Sequence, residues 1–511
     1  MFDIQYLGHA GWCIKNKDIK ILCDPWLDPA GTFFSSWFQF PRIDKINVEE
    51  VVSDVDILYI SHDHADHFDP WTLEKIDKEV QVCISKFRDV ALKNRLKELG
   101  FSNIKQLEED ETYEYENLKI RILKEEDHLA KDSCIFIDDG KNTILNLNDC
   151  HISPERAELF NDIDLLMVQF SSALWWPCVY NYKFDRMLSL CEHKRESVLQ
   201  RCASYTKWIK AKNVIPCAGP PIFLDDNMSF WNLTREHDFN PFPLMDYGVE
   251  YLKNKGHNSH LILPDGRITL DGENIKTSTN EEEARLIYGD VNKYIKEYLK
   301  EKQEISEVYL SQFKDGDKAV NLLKERVKSV IKTSKIYKNK LNYPLLFEID
   351  DSKWLVNFSE SEENCFKSYN DEEFRYRFKF DGSLLAYMLQ QKTIDFDYYF
   401  LSLRFSTSRD PDEYDDILFS LFRNFDDRRL RIAEKLYSER LLTKENFTLE
   451  HKGKKYKVQK YCPHMLADLE SMGFVDENDN LVCPLHNWKF NLETGECKNS
   501  SKRMLCVKEL K

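Results

Sequence analysis

The chain has 511 residues, a formal net charge of −16 from 72 basic and 88 acidic side chains, and a hydrophobic content of 42%. That length implies two to four domains, and the acidic balance argues against nucleic acid as the main partner while leaving room for a local basic pocket. Fourteen cysteines in so long a chain do not make a disulfide scaffold, and most sit singly in apolar segments, which predicts a reducing, cytoplasmic setting. The start, Met1-Phe2-Asp3-Ile4-Gln5, has neither a basic nor an apolar leader region. No apolar run reaches ~18 residues, so no membrane span is expected.

Residues 1–285 read as α/β. Short apolar runs at Ile19–Cys23, Ile57–Ile60, Ile135–Asp138, Ile144–Leu147 and Leu165–Phe170 predict buried strands, with helices between them such as Phe87–Leu99 and Glu155–Phe160. Polar turns such as Asp139-Gly140-Lys141-Asn142 punctuate the set. Residues 286–335 are charged and predict a helical connector. Residues 336–439 predict an α+β accessory domain, with strands at Leu345–Ile349, Trp354–Phe358 and Phe374–Phe380 and helices at Gly382–Gln390, Ile417–Phe422 and Asp427–Ser438. Residues 440–511 predict a small β-rich domain. The fold class expected is therefore α/β plus β, multidomain.

Two stretches carry chemistry. The first follows the predicted strand Ile57–Ile60 and reads Ser61-His62-Asp63-His64-Ala65-Asp66-His67. Three imidazoles and a carboxylate within six positions suit zinc, iron or manganese. The second reads Cys462-Pro463-His464, then eighteen residues, then Cys483-Pro484-Leu485-His486. One cysteine and one histidine in each loop is the ligand set of a Rieske [2Fe–2S] cluster, in which two thiolates hold one iron and two imidazoles the other. Structural zinc also accepts Cys₂His₂, although zinc fingers usually pair like with like. Cys497 and Cys506 fall outside the tetrad and are expected to be small buried thiols.

The flanking residues of both cysteine loops resemble Rieske proteins. H-x-H-x-D-H after a strand resembles the metallo-β-lactamase fold, as do Tyr6-Leu7-Gly8-His9-Ala10-Gly11-Trp12 and Asp24-Pro25-Trp26. The resemblance implies an N-terminal αβ/βα sandwich. It also implies a metal held by His62, His64, Asp66, His67, His128 and Asp149, with Asp66 and Asp149 as the candidate catalytic carboxylates. A further histidine usual in that family is absent: the matching segment is Val214-Ile215-Pro216-Cys217-Ala218-Gly219-Pro220. Cys217 there reads as a buried inert thiol, and His151, His257 and His260 are the histidines available to substitute. One firmly held metal with an open face is expected, which non-haem iron needs for O₂ chemistry.

The two domains together resemble the CMP-N-acetylneuraminate hydroxylase family, as do Gln169-Phe170-Ser171-Ser172-Ala173-Leu174-Trp175-Trp176-Pro177 and Pro216–Pro220. This chain departs from that family in carrying its Rieske unit C-terminally. The resemblance implies a monooxygenase with a [2Fe–2S] cluster and non-haem iron. It would use O₂ and an electron donor (a ferredoxin, a cytochrome b5-like protein or an NAD(P)H-dependent reductase) on a small polar substrate such as a nucleotide-sugar. His464 or His486 is the natural exit for electrons, and Trp488 either covers the cluster or packs between domains. Trp175, Trp176 and Tyr180 read as a core or interdomain cluster ahead of a stacking platform. Arg121, Arg156, Arg186 and Lys207 are possible phosphate partners. A zinc or manganese hydrolase with a redox-sensing Rieske unit is the alternative; a purely electron-transferring protein is a third.

Overall fold

The computed structural model describes the chain except residues 110, 126–131, 161, 226–227, 233–239, 273, 392–395, 426, 443–444, 465, 485–486, 500–502 and 511, and the side chains of 274, 427, 436 and 440–442. His128 and His486 thus lie outside the described residues. The chain divides into two compact units. One is Met1–Ala173 with Leu188–Ser306; the other is Leu174–Met187 with Glu307–Lys511.

The first unit is built on two sheets. The larger runs in the order Asn274–Thr277, Arg267–Asp271, Phe2–Gly8, Gly11–Asn16, Ile19–Cys23, Ile57–Tyr59, Gln81–Ser85, Ile104–Leu107. Its last four strands are parallel. The smaller sheet runs Val214–Cys217, Leu165–Gln169, Thr143–Asn148, Ser133–Asp138, Leu118–Lys124, Tyr113–Tyr115. Strand periodicity of two explains how the layers close. Ile21, Ile57 and Tyr59 join Ile120, Ile135, Leu145 and Leu166 in the core between the sheets. Their neighbours Leu22, Leu58 and Ile60 point the other way, onto Val51, Leu73, Leu92 and Leu96 of the covering helices. Leu199, Cys202, Tyr205 and Ile209 of the long helix Phe184–Ile209 also bury in the inter-sheet cluster. Each fully buried aliphatic side chain contributes about 1.5–3 kcal/mol, and the result is the αβ/βα sandwich that the sequence predicts.

The strands expected from apolar runs are present to within two residues at most ends. Helix starts are less well placed. The helix expected from Phe87 begins at Ala91. Glu155–Phe160 is a short turn of helix, Pro154–Ala157, capped by Ser153 and followed by a 3₁₀ turn. The helices Glu281–Gly289 and Val291–Leu310 bury Ile287, Tyr288, Val291, Ile295 and Tyr298 against Phe38, Phe40, Ile222 and Leu224.

In the second unit a five-stranded sheet is ordered Phe366–Ser368, Ser352–Val356, Leu345–Ile349, Tyr376–Phe380, Phe405–Arg409. Its core is aromatic: Phe378 lies 5.6 Å from Phe347, 5.2 Å from Phe422 and 6.5 Å from Phe400 between ring centroids. The C-terminal part holds two three-stranded sheets, Asn446–His451 with Lys454–Gln459 and Val507–Leu510, and Phe474–Val475 with Asn480–Cys483 and Trp488–Asn491. Phe447, Val458, Leu481, Phe490 and Leu505 fill the space between them.

Two glycines of this C-terminal part separate backbone strain from crowding. Gly453 and Gly495 have φ of 76° and 75°, but only at Gly495 would an added Cβ meet a neighbour, the Leu505 carbonyl. Gly453→Ala should cost about 1–2 kcal/mol, the left-handed penalty alone. Gly495→Ala should lower the melting temperature distinctly further, because the bond from Leu505 N to Gly495 O (2.8 Å) must also yield. Thermal unfolding of the two variants side by side checks this.

Candidate metal centre and cluster site

The first site lies at the carboxyl ends of the parallel strands, where loops of an open α/β sheet meet. Ile19–Cys23 ends in Asp24, which is fully buried with φ of 40°. Its carboxylate accepts from Ser61 N (2.8 Å), Ser61 Oγ (2.6 Å) and Asn148 Nδ2 (2.6 Å), and faces His67 Nδ1 at 2.9 Å. The loop that follows Ile57–Tyr59 is thereby pinned at both ends. Tyr59 donates its hydroxyl hydrogen to Ser133 O (2.9 Å), and Ser133 Oγ donates to Ser61 O (2.8 Å), so the second sheet clamps the same loop. Arg95 reaches over from its helix to Asp63 O at 2.5 Å.

His62, His64, Asp66, His67 and Asp149 gather around this anchor. His62 Nε2 is 2.9 Å from His64 Nδ1, and the His62 and His67 rings are 4.1 Å apart. His67 Nε2 stands 3.7 Å from both Asp66 Oδ2 and Asp149 Oδ2. Among the described residues two groups converge closely enough to hold a metal: His62, His67 and Asp149, and His9, Asp66 and His67, with ligand atoms within 4.8 Å of one another in each. His9 comes from the turn after the first strand. Its Nε2 lies 2.9 Å from Asp66 Oδ2. Asp132 also enters, 3.0 Å from His62 Nδ1.

The electrostatics call for a cation. Burial pushes the His67 imidazole down, but Asp66, Asp149 and Asp24 outweigh it and hold it up at about 10. Burial raises the Asp149 carboxyl against the pull of His67, and it raises Asp132 well above the carboxylate range, helped by Glu125. With Nδ1 donating to Asp24, His67 presents Nε2 to the carboxylates. Nε2 of His67, Nδ1 of His9 and Oδ1 of Asp149 are buried without a hydrogen-bond partner. A metal ion satisfies the His67 and Asp149 atoms and takes the place of the proton on His67. Nitrogen and carboxylate donors without a thiolate fit zinc, iron or manganese.

Asp24, His9 and Asp132 were not among the ligand residues expected. The signal for Asp24 is an acidic residue directly after a buried apolar strand, and for His9 a lone imidazole in an otherwise apolar hairpin. Of the histidines available to substitute, His260 is spent on Asn213 Oδ1 at 3.1 Å. His151 Nδ1 lies 2.8 Å from Asp149 O and 3.0 Å from Glu125 Oε1, and burial, helped by Arg201, holds its imidazole down at about 3. Burial likewise drives the Cys217 thiol well up. Trp175 is buried among Phe400, Phe405 and Phe419 and stacks on Tyr180. Arg121 and Arg156 line a cleft of about 710 Å³ with Lys124, Glu108, Glu109 and Glu155. Arg186 pairs with Asp412, and Lys207 is exposed.

The second site joins two loops. Cys462 and Cys483 are both buried, and burial plus the neighbouring Cys483 thiol push Cys462 well up. Such a pair of adjacent, water-excluded thiols is suited to bind iron as thiolates. Cys462 N donates to Ala467 O (2.8 Å), closing the first loop; Cys483 pairs with Trp488 across the second hairpin. His464 stacks on Trp488, with centroids 4.1 Å apart and planes 5° apart. Trp488 therefore covers one face of the His464 imidazole. The expectation for the other two cysteines needs correction: Cys497 is half-buried and Cys506 exposed. Leu505 takes the inward position, and Cys506, next along and just ahead of the strand Val507–Leu510, faces outward.

Replacing Asp24 by asparagine keeps the shape but removes the charge that orients His67. Asp24→Asn should weaken metal binding at the first site by about 10–100-fold, read by metal competition with a chelator, while the chain still folds.

Family models match three stretches: a β-lactamase superfamily domain over residues 3–218, an Rv3818-like, SCP2-like domain over 319–439, and a Rieske [2Fe–2S] domain over 428–510. A Mycolicibacterium smegmatis protein that carries the provisional name Rieske 2Fe–2S iron–sulfur protein is 28% identical across 97% of both chains. Cytidine monophosphate-N-acetylneuraminic acid hydroxylase of Danio rerio is 24% identical over 42% of this chain and 38% of its own. The solved structure of CmlA, a diiron β-hydroxylase from Streptomyces venezuelae, aligns with a TM-score of 0.35 and 15% identity over 55% of this chain and 54% of its own. The chain is thus a metallo-β-lactamase-like domain at its N-terminus joined to a Rieske [2Fe–2S] domain at its C-terminus.

Proposed function

We propose that this protein is a Rieske-dependent non-haem iron monooxygenase that hydroxylates a polar metabolite, with a nucleotide-sugar such as CMP-N-acetylneuraminate as the leading substrate. One observation carries the reading. A buried histidine–carboxylate cluster with unpartnered donor atoms shares a polypeptide with a domain whose business is single electrons. The partial similarity to CMP-N-acetylneuraminic acid hydroxylases supports the substrate class.

In this reading residues 1–285 form the catalytic domain, 286–335 the connector, 336–439 the accessory domain and 440–511 the Rieske domain. His62, His64, Asp66, His67, His128 and Asp149 hold the iron, and His9, whose Nε2 faces Asp66, is the imidazole that can make up for the family's missing late histidine. Bound iron supplies O₂ activation with electrons that originate at the cluster. Asp24 fixes the His67 tautomer, and the burial of His67 and Asp66 keeps water from their donor atoms. Cys462, His464, Cys483 and His486 hold the [2Fe–2S] cluster. An external ferredoxin, cytochrome b5-like protein or NAD(P)H-dependent reductase in the cytoplasm delivers electrons to it. No helix among the described residues is long and apolar enough to cross a membrane.

Metal analysis and EPR on anaerobically purified protein should find the two cluster irons and about one to two further irons per chain. Zinc at the histidine cluster, with lactone hydrolysis indifferent to O₂ and reductant, would instead establish the hydrolase. His464→Ala should abolish O₂-dependent, reductant-dependent turnover; a hydrolase would keep its rate in the same variant.

A further inference from the structure

The SCP2-like middle domain has no part in the chemistry proposed so far, yet it reaches the first cysteine loop. Its helix Asp416–Arg423 begins beside the first cysteine loop. Asp416 is buried, and Oδ1 of its carboxylate has no hydrogen-bond partner. That oxygen lies 3.8 Å from Nε2 of the cluster ligand His464. The other oxygen is held by Arg503 Nη1 at 3.0 Å. Arg503 also donates to Pro463 O (2.5 Å), within the cysteine loop, and to Tyr414 O (3.2 Å), next to the helix. The Tyr414 ring flanks His464 at 5.6 Å on one side while Trp488 stacks on it. One arginine therefore ties the loop to the helix, and the tie aims a carboxylate at the imidazole.

An imidazole that ligates a metal uses one ring nitrogen and leaves the other to a partner that sets its orientation and basicity. Reduction adds one electron to the cluster and makes it one unit more negative. A carboxylate beside the ligand opposes that charge in a low-dielectric surrounding. We propose that Asp416 is a positioning residue for His464 through which the middle domain lowers the reduction potential of the Rieske cluster. This rests on the Rieske assignment alone and stands whether or not the oxygenase reading holds.

The test is an EPR-monitored redox titration of the full-length, cluster-loaded protein at fixed pH with mediator dyes. Asp416→Asn should move the one-electron equilibrium towards the reduced cluster by about threefold to tenfold, whereas Asp416→Glu, which keeps the charge, should stay close to the parent. A purely structural role would lower the melting temperature or cluster content of Asp416→Asn and leave the potential where it was, which overturns the proposal. If Asp416→Asn fails to hold the cluster, Arg503→Gln gives the second reading. An uncompensated carboxylate should shift the equilibrium towards the oxidised form, and an unchanged or opposite shift overturns the proposal.

Discussion

The first site depends on one buried charge. Asp24 has no access to water, and a carboxylate in that position is tolerable only when its oxygens are filled. Ser61 supplies its amide and its hydroxyl, Asn148 its amide hydrogen and His67 its ring nitrogen. Those three residues come from two different sheets. The need to satisfy Asp24 therefore brings the metal-binding loop and the end of the strand Thr143–Asn148 to the same point, next to Asp149. Removing a partner would leave a charge stranded in the interior, so the geometry around His67 is held by a penalty for leaving it.

Sheet direction decides why the donors meet. Ile19–Cys23 and Ile57–Tyr59 are parallel, so Asp24 and the loop Ser61–His67 leave the sheet at the same edge. Thr143–Asn148 and Leu165–Gln169 are parallel in the second sheet. Tyr59 and Ser133 lock the two sheets in register with each other through hydroxyl bonds. The field this creates is strongly negative, and the elevated His67 imidazole is its signature. A cation is the natural occupant of such a field, which links the packing of two sheets to the chemistry of the site.

The second unit solves a different problem. Its sheet is backed by ring-on-ring packing, with Phe378, Phe400, Phe419 and Phe422 in mutual contact. Aromatic pairs of this kind add about 0.5–1.5 kcal/mol each beyond their buried area. Trp175 belongs to this core, in line with the core reading that its sequence context favoured over a stacking platform. The helix that starts at Asp416 rests on the same rings through Phe419 and Phe422, so the carboxylate near His464 sits on a stiff foundation.

Local signals carried much of the reading. Alternating and continuous apolar runs located the strands, because burial demands them wherever the strand sits. Spacing pointed to Cys462, His464 and Cys483 as candidate ligands, and H-x-H-x-D-H to four candidate donors, because those residues lie within one or two loops. Contributions from distant segments were illegible for the opposite reason. Nothing near His9 announces that its imidazole will lie 2.9 Å from Asp66, fifty-seven positions later. Nothing near Asp416 announces His464, and Cys506 faces outward next to the inward Leu505. The chain's own letters were enough for the element types, the domain chemistry and the ligand-rich loops, all of which are local. Which partners complete each site, which charge anchors it and which tryptophans are merely core were settled by long-range packing, since satisfying a buried polar group depends on whatever the fold brings within about 3 Å of it.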